Sequence, residues 1–482
     1  MNILFVSSEV FPYSKTGGLA DMVGALGKAL AETGHRVGIV TPLYKGIREH
    51  YPEIKKLDWW LEQPIADRFV QGEVWTLDPE PGLTIYFINK AEYYDRSDLY
   101  SNGGADYADN AERFIFFCKA AVHLARYLPW QPELVHAHDW QAGCVPMLVR
   151  HQSKTGWGNA PATCITIHNL AYQGVFPSWA FSLTNLPSDY LNPEGAEFYK
   201  QMNCLKAGIA FADVITTVSP RYAREITTEE FGCGLDGFLR DRQAKLFGIL
   251  NGADYDEWNT TENPYLHNPY SARKLSGKAE NKQALQHELG LPEKADVPLF
   301  GSVTRLAEQK GVDIELGALE EMLSSNMQFV LLGSGATIFE KGFLRLAQRY
   351  PGKVAVRIGY DQGLAHRIEA GCDFCLMPSR FEPCGLTQIY SLRYGTVPIV
   401  RATGGLDDSV RDYAENPKNA DGIKFREYSA QALTKAIRKA LAVYQQPDLL
   451  KRFRLNGMKM DFSWAKIVVE YEQVYKTALK RQ

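Results

Sequence analysis

The sequence lacks a dominant charge: 53 Lys and Arg stand against 56 Asp and Glu, a formal net charge of −3. Near-neutrality gives no electrostatic ground for nucleic-acid binding, so an anionic ligand must be held by a local cluster of basic groups. Long hydrophobic runs are missing too. The longest apolar stretch, Phe114 to Ala125, is broken by Lys119 and His123 and falls short of the ~20 residues that span a bilayer. No membrane partner is expected. The opening MNILFVSSEV has no basic segment, long apolar core or small-residue cleavage site, and reads as a buried strand instead of a secretory signal. Eight cysteines are scattered without a disulfide framework. Cys372-x-x-Cys375, with His366 before it and Cys384 after it, has a zinc-like spacing. A second paired motif is missing and DFCLMP reads as a strand, so free buried thiols are expected and no metal is. Tandem repeats and low-complexity linkers are absent as well.

What remains is the composition of a folded globular protein, 45% hydrophobic and 12% aromatic over 482 residues. That length is too great for one ordinary core, so at least two domains are expected. Short apolar runs alternate with longer amphipathic stretches, the pattern of a doubly wound α/β fold. NILFVSS, RVGIVTP, LTIYFIN, LVHAHD, TCITIH and VITTVS read as parallel strands covered on both faces. ADMVGALGKALAETG reads as a helix closing at Gly34. The pattern restarts with PLFGSVTR, MQFVLLGSG, VAVRIGY, CDFCLMPS and TVPIVRA. Two Rossmann-like domains follow, with a boundary at the Asn251-Gly252 turn. The expected division is 1–251 and 252–460, with a last helix around Trp464 to Leu479 inside a returning segment 461–482.

Ligands in such folds sit at the carboxyl ends of strands, where loops and helix N-termini offer backbone N–H groups. Ser14-Lys15-Thr16-Gly17-Gly18-Leu19-Ala20-Asp21 lies between the first strand and its helix. Lys15, Gly17 and Gly18 suit an approaching anion, although a plain glycine turn fits the same residues. In Ser302 to Gly311, Arg305 and Lys310 flank a loop where a diphosphate could be held, or they form a solvated charged loop. Ser379-Arg380-Phe381-Glu382-Pro383-Cys384-Gly385-Leu386-Thr387-Gln388 sets a carboxylate before a helix expected to begin near Gly385. Glu382 could face a sugar while the Gly385, Leu386 and Thr387 N–H groups hold phosphate; it could equally serve the helix dipole. His136-Ala137-His138-Asp139-Trp140 and Thr166-Ile167-His168-Asn169-Leu170 also follow strands. Their histidines find no matching metal partner, and Asp139, Trp140, His168 and Asn169 read as a polar pocket with an aromatic wall. His136 reads as an interior histidine.

KTGGLAD, HAHDWQAG, TIHNLAYQG, ILNGAD, TRLAEQKG, SRFEPCGLTQ and ATGGLDDSV together resemble, in order and spacing, the bacterial glycogen synthase and starch synthase family, glycosyltransferase family 5. The resemblance runs over essentially the whole chain, and KTGGL combined with EPCGLTQ is specific for this group. It implies a GT-B fold, two Rossmann-like domains facing across a cleft, the first for acceptor and catalysis and the second for the nucleotide sugar. It also implies retaining transfer of glucose from ADP-glucose, or UDP-glucose in some members, to the non-reducing end of an α-1,4-glucan. Partners would be the nucleotide sugar and glycogen, starch or maltooligosaccharide; no cofactor is implied. The expected assembly is a monomer or weak homo-oligomer, cytoplasmic if bacterial, or in the plastid stroma or on the starch granule if a mature algal or plant form.

By the same resemblance, Lys15, Arg305 and Lys310 neutralise the diphosphate, Glu382 holds the donor glucose and His168 contacts it near the reacting carbon. Asp139, Asn169, Cys384 and Gly385 line the sugar pocket, Tyr360 stacks on the base, and Thr387 with the Gly385 to Leu386 backbone grips the distal phosphate. Gly17 and Gly18 join the phosphate site, and Asp21, Tyr94 and Trp140 touch the acceptor. Two departures stand out. Tyr390 occupies the place of the second glutamate in the wider E-x7-E pattern, and Asp407 stands where a small residue is expected. Rival readings are another GT-B enzyme, such as sucrose synthase, trehalose-phosphate synthase or a phosphorylase, and a silent glucan-binding homologue. KTGGL with EPCGLTQ argues against the first, and the intact Lys15, Arg305, Lys310 and Glu382 against the second.

Overall fold

The computed structural model describes residues 1–481; residue 482, the end of the expected returning segment, lies outside the described residues. The chain forms two compact units. One comprises 1–218, 223–252 and the chain from Trp464 onward; the other comprises 219–222 and 253–463.

In the first unit the parallel strands lie in the order Leu246–Gly248, Val214–Thr217, Ala162–Ile167, Leu134–His138, Asn2–Val6, Arg36–Pro42 and Leu83–Asn89. The first strand in sequence is central, and the order reverses between it and Leu134–His138. That switch point opens a crevice at the carboxyl ends, where Ser7 onward and Asp139 onward leave the sheet. Ile3, Leu4, Phe5 and Val6 are fully buried, as both-face coverage requires. The helix Gly18–Glu32 turns Ala20, Val23, Leu26, Gly27 and Leu30 inward. It ends at Thr33, and Gly34 takes a left-handed φ of 88° just past the end, the usual glycine stop.

Among the pieces that sequence reading missed are two short edge strands and a ribbon. Leu246–Gly248 and, in the other unit, Ile423–Phe425 are edge strands of three residues, too short to show a period. An antiparallel ribbon of Leu61–Ile65 and Arg68–Glu80 extends the first sheet beyond Leu83–Asn89. Its one buried face and its Pro64 hide it from a search for fully apolar runs. The final helix, Trp464–Arg481, packs on the first unit through the buried Tyr471 and Tyr475. A side chain at Gly252 would meet the Trp464 ring at 2.5 Å, so the glycine of the Asn-Gly turn serves a close approach as well as a bend.

The second unit's sheet runs Val354–Ile358, Gln328–Gly333, Leu299–Val303, Phe374–Met377, Val397–Arg401, Ile423–Phe425, all parallel. This is the Rossmann order, with its switch point between Leu299–Val303 and Phe374–Met377. Phe300, Phe329, Phe374 and Ile399 fill one face against helices such as Val312–Met322 and Ala430–Tyr444. Leu285, Val330 and Ile368 fill the other. DFCLMP lies in the strand Phe374–Met377, and seven of the free cysteines are buried, Cys233 alone being exposed. Among the described residues no helix is long and apolar enough to cross a membrane.

Candidate functional site

At the first switch point, Glu9 organises the loop that precedes the helix. It is 3% exposed. Its carboxylate accepts bonds from the Thr16 N–H and hydroxyl, the latter at 2.7 Å, and from the Tyr100 hydroxyl at 2.6 Å. Sequence reasoning passed over Glu9; the signal was a lone acid in the apolar run before KTGGL. Lys15 pairs with Asp21 at 2.7 Å, both partly exposed, so Asp21 serves the lysine from the first helical turn. Gly17 and Gly18 have open space where side chains would stand. No side chain caps the helix start at Gly17, which leaves its first N–H groups free for an anion.

The neighbouring strand ends bring three histidines into a row. His136 bonds Tyr475 Oη at 2.9 Å and Thr166 Oγ1 at 2.6 Å, and burial pushes its pKa down to about 3. It is an interior histidine. His138 Nδ1 meets His168 Nε2 at 3.1 Å. Burial holds both below the usual range, His168 at about 3, so the row is neutral at physiological pH. Asp139 has a φ of 55°, rare for a side chain larger than glycine. Its carboxylate accepts the His168 N–H at 2.7 Å and also the Asn169 N–H, while burial lifts its pKa to about 7. Asp139, expected to line the sugar pocket, fixes the His168–Asn169 turn. Asn169 accepts the Ala171 N–H at 3.1 Å. Trp140 is partly buried, edge-on to Phe114 and Phe176. Tyr94 requires a correction. It is fully buried and donates its hydroxyl to the Arg113 carbonyl at 3.0 Å, so it presents no surface to an acceptor.

In the second unit, Lys310 Nζ lies 2.5 Å from Glu382 Oε2, and the Ser379 hydroxyl donates to the same oxygen at 3.1 Å. Next to this pair is a cavity of about 200 Å³ whose lining includes Ser302, Thr304, Arg305, Lys310, Ser379 and Thr387. Arg305 is exposed and makes no ion pair among the described residues. Two loops from adjacent strands thus bring the two basic residues, the glutamate and Thr387 together as expected.

Local backbone explains the motifs. Gly385 has a φ of 74°, and the Gln388 amide donates to the Cys384 and Gly385 carbonyls at 3.1 and 3.0 Å. Cys384 is buried. The helix expected near Gly385 starts at Thr387, because the left-handed glycine cannot join it and Leu386 is its cap. TGGL is tied to this loop. A side chain at Gly404 would stand 1.9 Å from the Glu382 carbonyl, and one at Gly405 would stand 2.1 Å from that of Cys384. Gly405 N–H donates to the Glu382 and Pro383 carbonyls at 3.1 Å.

The two departures find their places. Tyr390 stacks on Trp258 at 4.0 Å and 3°, and Trp258 stacks on His366 at 3.9 Å and 16°, so an aromatic sandwich occupies the ground of the second glutamate. Asp407 pairs with Lys424 at 3.0 Å and reaches Arg221 at 3.9 Å. Tyr360 is 86% exposed beyond the strand Val354–Ile358.

Two parallel α/β units, one with a basic pair and a glutamate at a Rossmann switch point, define a glycosyltransferase of the GT-B class. Residues 2–241 match the starch synthase catalytic domain family, and residues 284–460 match glycosyl transferases group 1. The glycogen synthase of Anaeromyxobacter sp. (strain Fw109-5) is 48% identical over 99% of both chains. That of Syntrophotalea carbinolica is 44% identical over 100% of this chain and 99% of its own. The catalytic domain of starch synthase IV from Arabidopsis thaliana, bound to ADP and acarbose, superposes with a TM-score of 0.89 at 33% identity, covering 99% of each chain. A sucrose-phosphate synthase from Thermosynechococcus elongatus shares the fold alone, at 18% identity and a TM-score of 0.62. The chain belongs to the glycogen and starch synthase family. The activity of that family is the elongation of an α-1,4-glucan.

Proposed function

We propose that this chain transfers glucose from ADP-glucose to the non-reducing end of an α-1,4-glucan, with retention at the anomeric carbon. The observation that carries the reading is the Lys310–Glu382 pair beside the cavity that Arg305 and Thr387 line. The ADP bound to the similar starch synthase IV supports the choice of donor; UDP-glucose is the alternative. Residues 1–251 with the last helix supply the acceptor and catalytic groups, and 252–460 hold the nucleotide sugar.

Arg305 and Lys310, with Lys15 and the open start of the helix Gly18–Glu32, stabilise the negative charge that grows on the departing diphosphate. Glu382 holds the glucose hydroxyls, with Cys384 and Gly385 beside it. The Gly385, Leu386 and Thr387 N–H groups hold the distal phosphate, and exposed Tyr360 is free to cover the base. Neutral His168 presents a hydrogen-bonding ring near the reacting carbon, held there by Asp139 and flanked by Asn169. The C1–O bond to the diphosphate breaks and the bond from C1 to the acceptor O4 forms on the same face. The acceptor proton passes to the diphosphate oxygen. Same-face attack is favoured because the carboxylates described at the two switch points are already engaged: Glu382 by Lys310 and Ser379, Asp139 by two backbone N–H groups, Glu9 by Thr16 and Tyr100, and Asp21 by Lys15.

The test is nucleoside diphosphate release from ADP-glucose and UDP-glucose, with and without glycogen, in wild type and Glu382→Ala. Glucan-dependent release that is larger with ADP-glucose and nearly lost in the variant is expected. Release from neither donor would overturn the reading, and preference for UDP-glucose would overturn the assignment of the donor.

A further inference from the structure

At the opposite end of the second sheet, a charged cavity remains that the proposed reaction does not use. Asp373 immediately precedes the strand Phe374–Met377. Its Oδ2 accepts the Leu299 N–H at 2.9 Å and Lys282 Nζ at 2.8 Å, and its Oδ1 accepts Arg454 Nη2 at 2.5 Å. The carboxylate is thus fully engaged. Around it opens a cavity of about 420 Å³ whose polar lining is Lys278, Lys282, Lys451, Arg454, Asp373 and Tyr444. Four basic side chains face one acid.

Part of this arrangement is structural. Lys282 ties the helix Ser276–Glu288 to the Val297 carbonyl at 2.6 Å and to Asp373. Lys278, 2% exposed, bonds the Glu369 and Ala370 carbonyls and the Thr396 hydroxyl, with no carboxylate among these partners. A structural role leaves two things unexplained. Arg454 Nε is buried without a hydrogen-bond partner among the described residues, a costly position for a charged donor. Asp373 and the buried Glu369 are the carboxylates near this cluster, against Lys278, Lys282, Arg454 and the exposed rim residue Lys451, so the cavity keeps a cationic excess. Burial and the neighbouring Arg454 already hold Lys278 down to about 7. An anion of two charges seated in the cavity would answer both: it accepts from Arg454 Nε and balances the excess, in the fork geometry that guanidinium groups offer phosphate.

We propose that this cavity binds a phosphate group, free or carried on a small metabolite, at a site separate from the donor's. The site stands independently of the donor assignment, because none of its residues takes part in the proposed transfer. A cavity of this volume holds more than one phosphate, so a sugar phosphate fits the space.

The experiment titrates the full chain with inorganic phosphate and, separately, with glucose 6-phosphate, at saturating ADP so that the donor site is occupied. Binding is read by calorimetry and by the rise in Tm. Expected is saturable binding that persists in Arg305→Ala and weakens at least about fivefold in Lys451→Ala, a rim substitution that leaves the fold intact. Arg454→Lys, which keeps the charge and loses the fork, should weaken it as well. Equal affinity for the two probes identifies the free anion, and tighter glucose 6-phosphate binding identifies a metabolite. No saturable binding, or binding unchanged in both Lys451→Ala and Arg454→Lys, overturns the proposal.

Discussion

Replacing Lys310 with alanine separates the structural duty of its pair with Glu382 from the catalytic duty proposed for it. The two groups are 2.5 Å apart, with Glu382 7% and Lys310 20% exposed at the side chain. Removing one partner of a buried ion pair costs about 3–5 kcal/mol. The partial exposure of Lys310 and the remaining Ser379 hydroxyl reduce that to about 2–3 kcal/mol. In a unit of roughly 200 residues this lowers Tm by about 5–10 °C. Glu382→Ala should cost less, because the freed lysine can turn toward solvent while a freed glutamate stays buried. The double variant should then be more stable than Lys310→Ala alone. Activity behaves differently. On the proposed mechanism, loss of a fixed cation at the departing diphosphate lowers kcat by about 10²–10³, and the double substitution recovers none of it. Calorimetry and diphosphate release on the three variants measure both quantities. A Lys310→Ala protein as stable as wild type, or a double variant whose losses simply add, would refute the reasoning.

Glu315 accepts the Ser302 hydroxyl at 3.5 Å and is fully buried, with its other oxygen unpartnered and its pKa raised by burial to about 8. A carboxyl raised in the fold contributes stability that is complete below about pH 4.5 and is lost as pH climbs to about 8, here on the order of 4 kcal/mol. Glu315→Gln should flatten the fall of Tm over that window, with a residual slope of the same sign from Asp139 and Glu369, both raised to about 7; unchanged slopes would contradict this. Tyr390→Glu, which restores the E-x7-E pattern, should instead destabilise the second unit by about 2–4 kcal/mol by removing one plate of the Trp258 stack. Chemical denaturation measures it, and a neutral effect would show that the stack does not decide the residue.

Much of the fold was legible because parallel strands buried on both faces write themselves as apolar runs, and loops after them carry the glycines and cations. Arg305, Lys310, Glu382 and Thr387 meet where the spacing places them, since adjacent strand ends at a switch point leave little choice. What stayed hidden depends on contacts between distant positions. Glu9 reads as one acid in an apolar run until Tyr100 and Thr16 converge on it. Tyr94 stands in a polar stretch, and the packing of Tyr44 and the helix Asn110–Tyr127 around it accounts for its burial. The Tyr390 substitution makes sense only against Trp258, far upstream in the chain.

The motifs therefore carry two kinds of constraint that sequence alone cannot separate. Gly17 and Gly18 have free space where a side chain would stand, so packing does not demand them, and an incoming ligand explains them better. Gly404 and Gly405 stand where any side chain would collide with the Glu382 or Cys384 backbone. Their task is to hold the glutamate loop in register from behind. A substitution at the first pair should weaken ligand binding with the fold preserved. The same change at the second pair should displace Glu382 itself and lower activity through geometry. Residues of one type in neighbouring motifs thus answer to different physics, and the position of the nearest backbone tells them apart.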